Sequence, residues 1–270
     1  MNIYGSIGFT ILKNSETKQK IIIFADMHDT LPKCENKISI ADWIKKKFKS
    51  SYILLEEVPR QDMQLEELWS AEHTQELKNL FLNNHEVVIG VDIRPSLIPY
   101  SWEVIGKVKE IDDFRLASYI KDIDNFFCLN HHNTKNIFEL YHYDKIKGTR
   151  IGDHFLKIKK KYHNYLITHN DELRKFIFKI HSENRSILEK MNDILDDIME
   201  WYICGLIYHN KNKSIVLHAG LAHTEKIIDW LTNHYEFKII NKEGVNKLSE
   251  TDTEPLNGCV RLSHEENKNF

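Results

Sequence analysis

The chain has 270 residues, 41% of them hydrophobic and 29% charged, enough to bury the core of one large domain or two small ones and too rich in apolar residues for a disordered chain. Thirty-seven Lys and Arg against 40 Asp and Glu leave a formal charge of -3, so no bulk field draws nucleic acid or an anionic membrane surface. The longest apolar runs, 21–25 and 201–208, fall far short of the roughly 20 residues of a membrane span.

In chain order, residues 14–17 are turn-forming and precede a β-branched and aromatic run at 21–24, which predicts a buried strand. Ser39 can cap a helix in which Ile40, Ile44 and Phe48 recur every four residues. A strand is expected at 52–55, then a helix with Leu65, Leu68, Trp69, Leu77, Leu80 and Phe81 on one face. Residues 87–93 predict a third strand, and Pro95 and Pro99 stop both strand pairing and an immediate helix. This βαβαβ order implies parallel strands with right-handed crossovers.

From 101 to about 208 the periodicity turns helical, with Ile187, Met191, Ile194, Leu195, Ile198 and Tyr202 spaced as one long amphipathic helix. A strand returns at 214–217, followed by a helix carrying Ile227, Ile228 and Leu231 and a last strand near 237–240. The expected fold is therefore α/β: a mostly parallel sheet with flanking helices, split as 1–100 and 210–245, interrupted by a largely helical insertion at 101–209 that forms a cap. Residues 246–270 make a partly loose tail.

Ligands of open parallel sheets bind beyond the carboxyl ends of the strands. There the chain places Asp26, His28 and Asp29, then Glu56 and Glu57, then Asp92 and Arg94, and finally His218 and His223. Carboxylates and imidazoles on one edge can hold a metal, act as a general base, or both. Asp29 reads as a turn residue. Alternation lets only one of Glu56 and Glu57 face a pocket, and Glu56 is preferred. Asp92 and Arg94 share parity and could pair with each other. The sequence carries 15 histidines, but those scattered through the insertion read as surface or core residues. No phosphate loop, GxGxxG fingerprint or GxSxG elbow is present. Cys34, Cys128, Cys204 and Cys259 are widely spaced with no CxxC framework, and no basic-then-apolar signal segment precedes them. The expected compartment is reducing and cytoplasmic.

The segments IIIFADMHDTLP (21–32), YILLEEVPRQDMQ (52–64) and SIVLHAGLAHT (214–224) resemble the superfamily that joins ChaN-type haem-binding uptake proteins, erythromycin esterase-like enzymes and Tiki proteases. The resemblance covers the sheet halves, with Ala25 in place of that superfamily's glycine and Asp26 in place of its first glutamate. It implies His28, Glu56 and His223 as the core of the site, holding a divalent metal or activating water directly, with Asp26 as the first acid. It also implies hydrolysis of an ester or amide in a small molecule or peptide, Arg94 binding the oxyanion or a substrate carboxylate. Asp92 and His218 are secondary candidates. A ChaN-type binder would instead hold haem or another small ligand without catalysis, with Tyr141 and His142 among its candidate ligands, and a third reading is an inactive relative working through its surface. A metallophosphoesterase-like phosphatase also competes, through the Asp26/His28 DxH and Asn84-His85-Glu86, although His85 precedes the third strand instead of following it.

Overall fold

The computed structural model describes residues 1–35, 37–59, 71–97, 148–168, 184–253, 256–268 and 270. The strands are β1 (Asn2–Tyr4), β2 (Gly8–Asn14), β3 (Lys20–Asp26), β4 (Lys37–Ser39), β5 (Ser51–Leu55), β6 (Val88–Gly90), β7 (Ser214–Gly220), β8 (Phe237–Gly244) and β9 (Cys259–Arg261). The helices, numbered among the described residues, are α1 (Ile40–Lys45), α2 (Glu72–Asn83), α3 (Arg94–Leu97), α4 (Arg150–Thr168), α5 (Asn184–His209), α6 (Leu221–His234) and α7 (His264–Lys268). Two compact units result, residues 1–92 with 206–270, and residues 93–205.

The first unit is built on a six-stranded sheet in the order β6-β5-β7-β3-β2-β8. β6, β5, β7 and β3 run parallel, which makes the fold α/β with a mostly parallel sheet. β2 runs antiparallel to both β3 and β8, and the sequence reading contained neither it nor the short sheet β4-β1-β9. The β2–β3 hairpin is closed by Asn14, whose Oδ1 accepts from the backbone of Glu16 and Thr17 at 2.9 and 2.8 Å. Such a side-chain mimic of a backbone turn is what asparagine does well.

β3, β5 and β7 are apolar along nearly their whole length because both faces of a parallel sheet are covered. One face packs Phe24, Ile22, Ile53 and Val216 against Trp43, Ile40 and Ile44 of α1 and Leu77, Leu80 and Phe81 of α2. Trp43 is fully buried, edge-on to Phe24 at 5.2 Å, and its Nε1 donates to Asn267. Ser39 caps α1, its hydroxyl accepting from the Asp42 backbone. The Leu65, Leu68 and Trp69 part of the helix expected before residue 81 lies outside the described residues.

In the second unit, α3 begins at Arg94 directly after Ile93, so Pro95 opens a helix rather than preventing one. Proline lacks an N–H that would go unpaired at a helix start anyway, and its fixed φ suits that position. α4 and α5 supply a buried set including Ile151, Phe155, Tyr162, Ile198 and Trp201, with Trp201 Nε1 donating to the Ile151 carbonyl at 3.0 Å.

The segment read as a loose tail contributes β9, which pairs antiparallel with β1, and ends in the buried Phe270. It also carries Cys259, which forms a disulfide with Cys34 across 225 positions of sequence. The spacing of the cysteines did not announce this pairing, since a separation of that length leaves no pattern to read. Cys204 is a free, buried thiol, and among the described residues no helix is long and apolar enough to cross a membrane.

Replacing Trp43 by alanine removes the largest buried side chain between α1 and the sheet, and urea denaturation should show a loss of about 3–5 kcal/mol with the fold retained.

Candidate functional site

β7 lies between β3 and β5, in a register that sets Asp26 beside Gly220 and Leu55 beside His218. The ends of three neighbouring parallel strands therefore bring Asp26, Glu56 and Gly220 to one edge, although 194 positions separate the first from the last. His28 follows two residues after Asp26 in a left-handed conformation, φ +55°, which few residues other than glycine adopt without cost. That twist sets its ring between two carboxylates. Its Nδ1 faces Asp26 Oδ2 at 3.1 Å and its Nε2 faces Glu56 Oε2 at 3.4 Å.

Glu56 is held from two further sides. Its Oε2 accepts the backbone N–H of Gly220 at 2.6 Å, and its Oε1 faces His223 Nε2 at 3.5 Å. A Cβ on Gly220 would crowd both side chains, standing 3.0 Å from His28 Nε2 and 3.3 Å from Glu56 Oε2. His223 is the third residue of α6, which starts where β7 ends. Glu56 rather than Glu57 is thus the glutamate among the imidazoles. Glu57 lies beside Asp92, and burial, aided by the charges of Glu56 and Asp92 and opposed by Lys78, pushes its carboxyl up to about 7.

His73, which sequence reasoning passed over, completes the arrangement from α2. It is fully buried and its Nε2 lies 2.9 Å from Asp26 Oδ1. The signal was present in the helix periodicity, since His73 shares the buried face with Leu77, Leu80 and Phe81; an imidazole on such a face needs a polar partner. The result is an alternation His73, Asp26, His28, Glu56, His223. Its inner members are sealed, with side-chain exposure of 0% for His73 and Asp26, while His28, Glu56 and His223 reach 17%, 10% and 12%.

Electrostatics follow from the pairing. Burial alone would raise the Asp26 pKa, but its contacts with His28 and His73 and the nearby His218 hold it far below the usual carboxylate range. Burial alone would lower that of His28, and its contacts with Asp26 and Glu56 reverse this and raise it to about 10. At neutral pH His28 is therefore a cation between two anions. His218 differs: burial lowers its pKa, against the pull of Asp26, and its Nε2 lies 3.0 Å from the Gly5 carbonyl, so it serves as a neutral donor to the backbone.

The other candidates have contacts of their own. Asp92 is buried and its backbone N–H donates to the Glu57 carbonyl at 3.1 Å. Arg94 belongs to the second unit, where its Nη1 donates to Asp196 Oδ1 at 2.7 Å. Asp29 accepts from the Thr30 backbone in an exposed turn. His85 is exposed in the turn entering β6, at the amino edge of the sheet, while Asp26 and Glu56 are at the carboxyl edge. Tyr141 and His142 lie outside the described residues.

As for a metal, the two ring nitrogens of His28 face different carboxylates and Glu56 Oε2 already takes a short backbone bond, so these side chains pair with one another instead of converging on a point. Among the described residues no group of three or more His, Cys, Asp or Glu side chains could hold a metal ion. What the arrangement can do as it stands is orient an imidazole through a carboxylate and store positive charge beside it. Compared with protein-family models, with curated proteins and with solved structures, the chain matches none.

Because folded His28 keeps its proton to about pH 10 while an unfolded imidazole loses it near 6.5, its contribution to stability is complete below about pH 6.5 and is lost as the pH rises toward 10. Urea denaturation between pH 6 and 10 should show this fall in the wild type, and H28Q should lack it.

Proposed function

We propose that the chain is a hydrolase that cleaves an ester or amide bond in a small molecule or peptide, with Glu56 and His223 as the water-activating pair and His28 as a fixed cation behind them. The observation that supports this most directly is the alternation of imidazole and carboxylate from the sealed His73 and Asp26 out to the partly exposed His28, Glu56 and His223. A structural ion pair needs two members; five in a row, ending at solvent beyond the carboxyl edge of a parallel sheet, match the place and chemistry of an acid–base site.

In the proposed chemistry His223 directs its Nε2–H to Glu56, which leaves the Nδ1 lone pair to take a proton from water as its oxygen attacks the substrate carbonyl. The Glu56 carboxylate stabilises the imidazolium that forms, and His223 then returns the proton to the leaving oxygen or nitrogen. The first turn of α6, the positive end of a 14-residue helix, supplies partial charge for the developing oxyanion. His28⁺ keeps Glu56 aligned, and Asp26 and His73 hold His28 in place. The resemblance to Tiki proteases and erythromycin esterase-like enzymes in IIIFADMHDTLP, YILLEEVPRQDMQ and SIVLHAGLAHT points to the same bond classes.

The test is turnover of a panel of aryl esters and short peptides. E56Q and H223A should each lower kcat/KM by about 100-fold or more while circular dichroism stays unchanged, and equal turnover in all three proteins would contradict the assignment. Wild-type activity should persist after chelation with EDTA; loss that one divalent ion restores would transfer water activation to a metal. The rate should decline near pH 10, where His28 is neutralised.

A further inference from the structure

His28 stands at the start of a segment, residues 27–35, in which Leu31 is the one buried residue; Met27, Asp29, Thr30, Pro32, Lys33 and Glu35 are exposed. His28 itself is held by Asp26 and Glu56 and the Met27 N–H by Asp26; beyond them, toward Cys34, noncovalent support is sparse. Tyr4 Oη lies 3.5 Å from the Leu31 carbonyl, Asn2 Nδ2 donates to the Glu35 carbonyl at 3.2 Å, and Lys33 pairs with Glu72 at the surface. Leu31 packs with Tyr4, Ile7 and Leu221, but the exposed residues on either side of it bury little, and a stretch of that kind opens locally. Against this stands one covalent tie, the Cys34–Cys259 disulfide to β9.

The far side of that tie is well fixed. β9 pairs with β1, and the Gly258 carbonyl accepts the Gly5 backbone N–H at 2.9 Å. Gly258 also passes so close to the segment that a Cβ on it would stand 2.5 Å from Leu31 Cβ and from the Pro32 oxygen. β9 and the segment are thus fitted to each other beside the bridge, and both cysteines are half-exposed, within reach of a reductant.

We propose that the Cys34–Cys259 disulfide is a redox clamp on the site: closed, it holds residues 27–35 and with them His28 between Asp26 and Glu56, and its reduction releases the segment. The reductant is a dithiol. One of its thiolates attacks a sulfur of the bridge to form a mixed disulfide, its second thiolate displaces that sulfur, and two electrons pass from the dithiol to the bridge. Cys34 and Cys259 leave as thiols and the dithiol becomes a disulfide. The consequence for turnover rests on the hydrolase assignment above; the clamping of the segment does not.

The experiment compares oxidised wild type, wild type reduced with dithiothreitol, and the C34S/C259S variant, by hydrogen exchange with mass spectrometry and by hydrolysis of the ester and peptide panel. Opening the bridge should speed exchange at least tenfold in residues 27–35 while β3, β5 and β7 keep their protection. Turnover should fall at least tenfold, and reoxidation should restore it in the wild type and not in the variant. Exchange in 27–35 that is the same with and without the bridge overturns the clamp, as does exchange that rises throughout the chain, which would make the bridge a general staple of the fold. Finding both thiols free by alkylation after refolding under air also overturns it. Faster exchange confined to 27–35 with no hydrolysis in any form upholds the clamp and removes the hydrolase assignment.

Discussion

The interaction on which the rest depends is the pairing of the buried Asp26 carboxylate. An ionised carboxylate sealed from water is strongly unfavourable unless charge and hydrogen bonds compensate it. Here one oxygen receives His73 at 2.9 Å and the Met27 backbone N–H at 2.8 Å, and the other faces His28 at 3.1 Å. Several features that look unconnected follow from that need. α2 turns an imidazole inward on a face otherwise made of Leu77, Leu80 and Phe81. His28 accepts a left-handed backbone, and His28 stays protonated through the neutral range. Backbone strain of this kind persists where the surroundings over-determine it, and two carboxylates around one ring do so.

A charged His28 in turn demands its second anion. Glu56 provides it because β5 and β3 flank β7, so that the chain leaving β5 emerges with only one strand between it and Asp26. Gly220 then has two tasks at one position: its N–H fixes Glu56, and its missing side chain leaves room for His28 and Glu56 to meet. With Glu56 anchored, His223 reaches its other oxygen from the first turn of α6. Alternating imidazoles and carboxylates thus run outward from a sealed carboxylate to the partly exposed His223, and no single element of the fold contains them.

Much of this was legible in the residues and some was not. β3, β5 and β7 declare themselves as β-branched runs because both faces of a parallel sheet are covered, and the polar residues that end them, Asp26, His28 and Glu56, stand out against those runs. β2 does not declare itself in the same way; Gly8 to Asn14 mixes small, polar and aromatic residues, and only its pairing with β3 and β8 defines it. His73 was hidden by being one polar member of an apolar helical face. Pro95 misled because its effect depends on whether it falls inside a helix or at its first turn. The Cys34–Cys259 bridge joins two ends of the chain and shows only in three dimensions. Arg94 matched the pattern of a strand end, yet the helical unit that follows takes it as a partner for Asp196.

The charge on His28 is the claim that holds the account together, and the ring nitrogens report it directly. Nitrogen-15 NMR of selectively labelled histidine, assigned with H28Q, should show both His28 nitrogens at imidazolium shifts at pH 8 and a titration near pH 10. A neutral tautomer at pH 8, titrating near the ordinary histidine value, would contradict the account.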